Sequence, residues 1–243
     1  MSKVRQMLII PLRTVRYSDS RSILNAYTRE NGRMSFLIPD GAGKGIARRR
    51  ALFQPLFPID GTVESRPGAE FARLKEPHPA FPLYGIATNP LKQSVALFIA
   101  EVLSALLRHP EPDPLMFDFI LSSVRTLEVA PSQRISNFHL VFLYRLTEFF
   151  GIKPDAYSWE KNHIFDLRDA VFRQSPPLHR DYLEAPAAAL LPVLDRLDYR
   201  SMNLLKLTRK ERNDILDMII NYYGLHDFPI YPLRSLEIFR SIN

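Results

Sequence analysis

The sequence predicts an α+β protein in which a strand-rich, basic domain, residues 1–80, precedes an all-α domain, residues 81–243. Near residue 80 the spacing of apolar residues changes from every second to every third or fourth position. Pro77, Pro79 and Pro82 mark this boundary. The first 80 residues carry 14 Lys and Arg against 7 Asp and Glu, a net of +7, whereas the other 163 carry 18 against 19, a net of −1. A basic excess confined to one part of a chain is typical of a surface that binds a polyanion.

The N-terminal domain is predicted from short runs rich in β-branched and aromatic residues, separated by turn residues. The predicted strands are residues 7–15, 22–28, 33–38, 51–57, 61–65 and 71–75. In the third strand Met34, Phe36 and Ile38 share one face, while Arg33 and Ser35 share the other, as a half-buried strand requires. Strands this short and closely spaced predict a small barrel or sandwich.

The C-terminal domain is predicted from apolar residues at helical spacing. The predicted helices are residues 91–107, 115–127, 136–150, 187–197, 208–223 and 233–242. Gly151 follows the third of these as a predicted C-cap, and Gly224 is predicted to end the fifth. Thr208 with Glu211 three residues later predicts a capping box at the start of the fifth helix.

The composition argues against several classes of site. The chain has no cysteine, which excludes disulfides, thiolate catalysis and zinc sites built from cysteine. The glycines of residues 41–45 lack the spacing of a phosphate-binding loop, and His163, Asp166 and Asp169 are interpreted as ordinary loop residues rather than metal ligands. We therefore predict no catalytic residue, no metal and no cofactor. The start of the chain lacks the pattern of a signal peptide and no apolar run is long enough to span a bilayer, so a cytoplasmic location without membrane contact is expected.

Nucleic-acid binding is the function that the N-terminal residues favour. Arginines fall at predicted strand ends and turns, close to Tyr17, Tyr27 and Phe36. Cations that contact phosphates and aromatic rings that stack on bases together bind single strands. Phe36 is expected in the core and Tyr17 on the surface, while Tyr27 could take either position. The candidate DNA-binding residues are Arg13, Arg16, Tyr17, Arg21, Arg29, Arg33, Lys44, Arg48, Arg49 and Arg50.

The chain resembles the RecO family of bacterial recombination mediators. In the N-terminal domain the resemblance rests on residues 16–35, which include Arg16-Tyr17 and Asn31-Gly32, and on residues 41–56. In the C-terminal domain it rests on residues 138–154, 165–172 and 222–238. The order and spacing of these short elements carry the resemblance.

The resemblance implies an N-terminal OB-fold barrel and a helical C-terminal domain. It also implies binding of single- and double-stranded DNA, annealing of complementary strands, and help in loading the RecA recombinase onto strands coated with single-stranded DNA-binding protein (SSB). The implied protein partners are a RecR-like protein and the acidic C-terminal tail of SSB, with RecA reached indirectly. A protein of this kind is expected to associate with the nucleoid.

One segment departs from the family pattern. Many members carry a four-cysteine zinc module in the region that corresponds to residues 155–180, whereas this chain has no cysteine. Apolar packing by Trp159, Phe165 and Phe172 is expected to hold the segment instead.

Two other functions remain compatible with the sequence. A scaffold could use the basic barrel to bind an acidic protein without contacting DNA, and competition by an acidic peptide would identify it. RNA binding through the same barrel would differ in whether a 2′-hydroxyl group is recognised. Matched DNA and RNA oligomers would separate RNA binding from DNA binding.

Overall fold

A computed structural model describes residues 3–41, 45, 50–108 and 111–242. Five antiparallel strands form a sheet in the order β3-β2-β1-β4-β5. The strands are β1 (Lys3–Arg16), β2 (Arg21–Thr28), β3 (Gly32–Pro39), β4 (Ile59–Ser65) and β5 (Arg73–Pro79).

The two outer strands of this sheet approach each other at one point. Phe36 in β3 and Ala72, just before β5, form a parallel bridge. Leu37 N donates to Ala72 O at 3.1 Å, and Ala72 N donates to Ser35 O at 2.9 Å. The sheet therefore curls into a partly open five-stranded barrel, which is the architecture of an OB-fold. The predicted fold class, with a β domain of OB type before a mostly helical region, is confirmed.

The barrel interior is apolar and follows the predicted alternation. Phe36 and Ile38 are 0% and 5% exposed, and Met34 packs against the same cluster. The other strands add their inward residues to it. The cluster comprises Met7, Ile9, Leu24, Ala26, Phe36, Ile38, Phe53, Ile59, Val63 and Ala72.

The strand predicted at residues 51–57 is wrong. Residues 50–52 are helical and residues 53–58 form turns and irregular backbone. Phe53 and Leu56 are 7% and 2% exposed, and Leu56 takes φ 60°. Two buried residues three positions apart fit a turn that packs on the barrel, whereas a strand would bury every second residue.

The helices are α1 (Tyr84–Thr88), α2 (Pro90–Leu106), α3 (Pro114–Val129), α4 (Phe138–Leu146), α5 (Ala185–Ala188), α6 (Leu191–Arg196), α7 (Arg209–Leu225) and α8 (Leu236–Ile242). The predicted helix at residues 187–197 is thus two short helices. The capping box of Thr208 and Glu211 is confirmed. Gly151 takes φ 68° after the turns that follow α4, but Gly224 lies inside α7 and does not end it. No helix among the described residues is long and apolar enough to cross a membrane.

The first compact unit comprises Met1–Val129 together with Leu233–Ile242. In it helix α2 contacts β1, and the ring of Tyr27 in β2 lies 6.1 Å from that of Phe117 in α3. The ring of Phe98 in α2 stacks on that of Phe239 in α8, with ring centroids 4.4 Å apart. Because the barrel shares this unit with α1, α2, α3 and α8, the limit of the unit lies beyond residue 80. The boundary at residue 80 stays a prediction.

The second compact unit, Ala130–Pro232, contains α4–α7 and a small antiparallel sheet. Its strands are β6 (Ile164–Asp166), β7 (Val171–Arg173) and β8 (Tyr182–Leu183), in the order β7-β6-β8. The C-terminal region is therefore mostly helical rather than entirely so. Strands of two or three residues are too short to show the alternation that predicts a strand.

Candidate nucleic-acid interface

Two loops of the barrel meet at an aromatic pair. Tyr17 begins the β1–β2 turn and Phe71 lies in the β4–β5 loop, with ring centroids 5.8 Å apart in an edge-on arrangement. The backbone N–H groups of Tyr17 and Ser18 donate to Arg21 O at 3.0 and 2.9 Å, which fixes the turn. Tyr17 is 59% exposed. In OB-folds these two loops, with the face of strands 2 and 3, bind oligonucleotides.

Two predicted cations, Arg16 in β1 and Arg21 in β2, adjoin the turn that carries Tyr17, and a third, Arg13, lies further back along β1. Arg16 pairs with Asp19 at 2.8 Å, but both side chains are largely exposed, so the pair holds Arg16 only weakly. Arg13 and Arg21 are exposed, and neither forms an ion pair with another described residue. The guanidinium groups of Arg16, Arg21 and Arg13 are thus accessible to an anionic ligand.

Arg50 is fixed in place by Asp40. Its Nε and one terminal nitrogen donate to Asp40 Oδ1 at 2.9 and 2.5 Å, and that terminal nitrogen also donates to Gly41 O at 3.1 Å. Hydrogen bonds from Ser22 and Arg50 lower the pKa of the Asp40 carboxyl to about 2. Three further candidates, Lys44, Arg48 and Arg49, lie outside the described residues.

Arg29 and Arg33 bind acceptors of the protein itself. Arg29 forms a two-bond pair with Asp118 in α3, at 3.1 and 2.9 Å. Arg33 donates to the carbonyl oxygens of Ser104 and Leu107, where α2 ends, at 3.2 and 2.9 Å. A cation in that position satisfies carbonyls that the helix leaves unpaired. Both arginines join the barrel to its helices, and their contacts with DNA stay a prediction.

Part of this surface is not predicted by the sequence pattern. The pattern places Phe71 in a strand, but Phe71 precedes β5 and contacts Tyr17. Arg66 and Arg73, at the two ends of the same β4–β5 loop, are exposed. The turn residues Pro67 and Gly68 were the signal that a loop separates two strands here. Of the other aromatic residues, Phe36 lies in the core as expected and Tyr27 is 1% exposed.

The segment in which the absence of cysteine excluded a zinc module contains a buried carboxylate. Asp166 is 1% exposed and accepts hydrogen bonds from Arg168 N, Asp169 N and Arg173 Nε at 3.0, 3.2 and 3.0 Å. His179 Nε2 lies 3.5 Å from Asp166 Oδ1. Because N–H donors surround this carboxylate, the residues present do not fit a zinc ion. The described residues contain no group of His, Cys, Asp or Glu that could bind a metal.

Ring packing contributes to the same segment. Phe165 is fully buried, and its ring centroid lies 4.9 Å from that of Phe172 across the β6–β7 pair. Trp159 is 38% exposed, and its part in this packing stays a prediction. An apolar ring pair and a buried carboxylate therefore organise the small sheet.

Comparison with known protein families gives a consistent result. A family model described as "Recombination protein O N terminal" matches residues 1–80, and one described as "Recombination protein O C terminal" matches residues 87–237. Together the two matches cover nearly the whole chain.

Similar curated proteins bear the name "DNA repair protein RecO". The protein of Phocaeicola vulgatus is 36% identical over 235 residues, that of Bacteroides fragilis 34% over 236, and that of Porphyromonas gingivalis 34% over 238. Each alignment covers 96% of this chain and 96% of the relative. The similarity therefore extends over both compact units.

Proposed function

The chain belongs to the RecO family, whose members act in DNA repair and recombination, and we propose that it is a DNA-binding recombination mediator. In this role it binds single- and double-stranded DNA, anneals complementary strands, and helps load a recombinase onto SSB-coated DNA with a RecR-like partner. The family is one of DNA repair mediators, and the proposed mechanism includes no catalytic step. The proposed location is the cytoplasm, at the nucleoid.

The aromatic pair of Tyr17 and Phe71 is the observation that carries this proposal. It lies where an OB-fold binds oligonucleotides, and the Tyr17 ring is more than half exposed. An exposed ring can stack on an unpaired base, and each such stack contributes about 1–3 kcal/mol of binding free energy. Arg16 and Arg21 at the two ends of the turn would then contact the phosphates on either side of that base.

Annealing follows from the same surface without a reacting group. Arginines that bind phosphates reduce the repulsion between two complementary strands and raise their local concentration. The helical domain, residues 81–243, would then serve as the docking site for proteins, including the acidic SSB tail. Arg13, Arg16 and Arg21 supply accessible positive charge for the strands in the first unit.

Replacing Tyr17 with alanine is expected to weaken binding of a single-stranded oligonucleotide about 5- to 150-fold, the loss of one stack of about 1–3 kcal/mol. Binding of a duplex of equal length should weaken much less, because its bases are already stacked on each other. Fluorescence anisotropy with labelled oligo-dT and a labelled duplex measures both. Tyr157→Ala is the matched control, since Tyr157 is 91% exposed in the second unit.

Other outcomes favour other functions. Equal weakening in both variants, or none in Tyr17→Ala, would contradict the proposed stacking site. Failure of the wild-type protein to bind any oligonucleotide at low salt, with capture of an acidic peptide by the barrel, would favour the scaffold function. Tighter binding of RNA than of DNA of the same sequence would favour RNA as the ligand.

A further inference from the structure

The two rings of the aromatic pair differ in their exposure to solvent. Tyr17 is 59% exposed, whereas Phe71 is partly buried. Their ring planes are inclined by 63°. A base held between two rings stacks on parallel faces, which rings at this angle do not offer. The pair therefore presents the Tyr17 ring to a ligand, and Phe71 is the ring on which Tyr17 packs.

The backbone beside Phe71 is fixed by the contact that curls the barrel. Ala72, the next residue, is 6% exposed. Its N–H donates to Ser35 O at 2.9 Å, and its carbonyl accepts from Leu37 N at 3.1 Å, so both of its backbone groups bind β3. Phe71 thus stands next to an anchored point of the β4–β5 loop.

Tyr17 combines a fixed backbone with an exposed ring. The N–H groups of Tyr17 and Ser18 donate to Arg21 O, which fixes the backbone of the turn. Among the residues that the structure describes, Phe71 provides the only aromatic ring in contact with that of Tyr17. Immobilising a side chain on binding costs free energy, and packing that already restrains it in the free protein reduces this cost. The contact with Phe71 therefore prepares the Tyr17 ring for a ligand.

We propose that Phe71 is a positioning residue for single-stranded DNA, which holds the Tyr17 ring in the orientation that stacks on a base. The inference rests on the proposed function, in which Tyr17 supplies that stack. The anchored β4–β5 loop places Phe71, and Phe71 restrains the ring that the β1–β2 turn presents. Phe71 then contributes to a preference for single strands, because the bases of a duplex are already stacked on each other and gain little from the ring.

Replacing Phe71 with alanine tests the proposal. We expect Phe71→Ala to bind oligo-dT about 2- to 12-fold more weakly, the range for one freed side chain that must be immobilised on binding. Binding of a duplex of equal length should stay close to that of the wild type. Fluorescence anisotropy with both labelled ligands measures the two effects.

Phe81→Ala is the matched control. Phe81 is also a partly buried phenylalanine of the first unit, but its ring lies 4.7 Å from the guanidinium carbon of Arg125 in α3. This variant should bind both ligands as the wild type does. Thermal unfolding checks that it and Phe71→Ala are folded.

A double-mutant cycle separates positioning from direct stacking. If Phe71 acts through Tyr17, the double variant Tyr17→Ala/Phe71→Ala binds oligo-dT as Tyr17→Ala alone does, because no ring remains to be held. If Phe71 itself stacked on a base, the losses of the two single variants would multiply in the double variant. Multiplied losses would overturn the proposal.

Two conservative replacements provide the test if Phe71→Ala does not fold. Phe71→Tyr keeps an aromatic ring and should bind oligo-dT as tightly as the wild type does. Phe71→Leu keeps a large apolar side chain but has no ring, so we expect it to bind oligo-dT more weakly than Phe71→Tyr. Equal binding by these two variants would contradict a positioning role for the ring contact.

The results separate failure of this inference from failure of the proposed function. If Tyr17→Ala weakens single-strand binding but Phe71→Ala binds as the wild type does, Phe71 has no positioning role and the DNA-binding proposal stands. If Phe71→Ala weakens binding of oligo-dT and duplex equally, or Phe81→Ala weakens binding as much, loss of packing explains the effect and the inference fails. If the wild-type protein binds no oligonucleotide at low salt, the proposed function fails and the inference fails with it.

Discussion

Replacing Asp166 with alanine is expected to lower the free energy of unfolding by about 3 kcal/mol, since two backbone N–H groups lose a charged acceptor and hydrogen bonds to charged groups contribute about 1.5–3 kcal/mol each. The carboxylate is 1% exposed and also binds Arg173 Nε at 3.0 Å. Its loss leaves the N–H groups of Arg168 and Asp169 without that partner. Urea unfolding followed by circular dichroism measures the change.

Asp169→Ala is the matched control in the same turn. Asp169 also pairs with Arg173, but its side chain is 58% exposed. An exposed pair of this kind contributes about 0–1 kcal/mol, so the control should unfold almost as the wild type does. Equal destabilisation by both changes would contradict the central role of Asp166 in the small sheet.

The same carboxylate predicts how stability depends on pH. Burial alone would raise the pKa of Asp166, but hydrogen bonds from Asp169 N, Arg168 N and Arg173 outweigh burial and lower it. Its contribution is therefore present above the pKa of the unfolded chain, about 3.9, and is lost as pH falls through the lower pKa of the folded state. Below about pH 4 the wild type should lose stability more steeply than Asp166→Asn, in acid titrations followed by circular dichroism.

The long elements could be predicted from the sequence because their burial is periodic. In β3, Phe36 and Ile38 are buried on the inner face of the barrel, whereas Ser35 and Leu37 on the other face are only partly buried. In α2 the apolar face from Val95 to Leu106 is the buried face of the helix. Each of these elements buries one face along its whole length, so the spacing of its apolar residues predicts the element even where single positions depart from the pattern.

The errors lie where burial is not periodic. Phe53 and Leu56 are buried from a turn, so their apolar character suggested a strand that does not exist. The strands β6–β8 are too short for any period, and a single buried carboxylate, Asp166, organises them. Such a residue depends on partners that the linear pattern does not reveal.

The candidate site was predictable in type but not in detail. Residue type and turn chemistry placed Tyr17 and Arg21 on the exposed end of the barrel. They could not show that Arg29 binds Asp118, which lies 89 positions away along the chain. Equally, contact between Tyr17 and Phe71 depends on how the barrel curls, which is a property of the whole sheet.

The combined variant Arg48→Ala/Arg49→Ala/Arg50→Ala is expected to bind single-stranded DNA about 100-fold more weakly at 0.1 M salt, the loss of three phosphate contacts. The wild type, with about five such contacts, should show a log–log salt slope near −3.5, and the variant a slope near −1.4. Salt titrations of fluorescence anisotropy with labelled oligo-dT measure both quantities.

The matched control removes three positive charges from the second unit. It is Arg180→Ala/Arg196→Ala/Arg200→Ala, and all three arginines are exposed. If both triple variants lose affinity equally, net charge rather than the cluster of Arg48, Arg49 and Arg50 governs binding. If Arg48→Ala/Arg49→Ala/Arg50→Ala binds as the wild type does, the DNA site lies elsewhere.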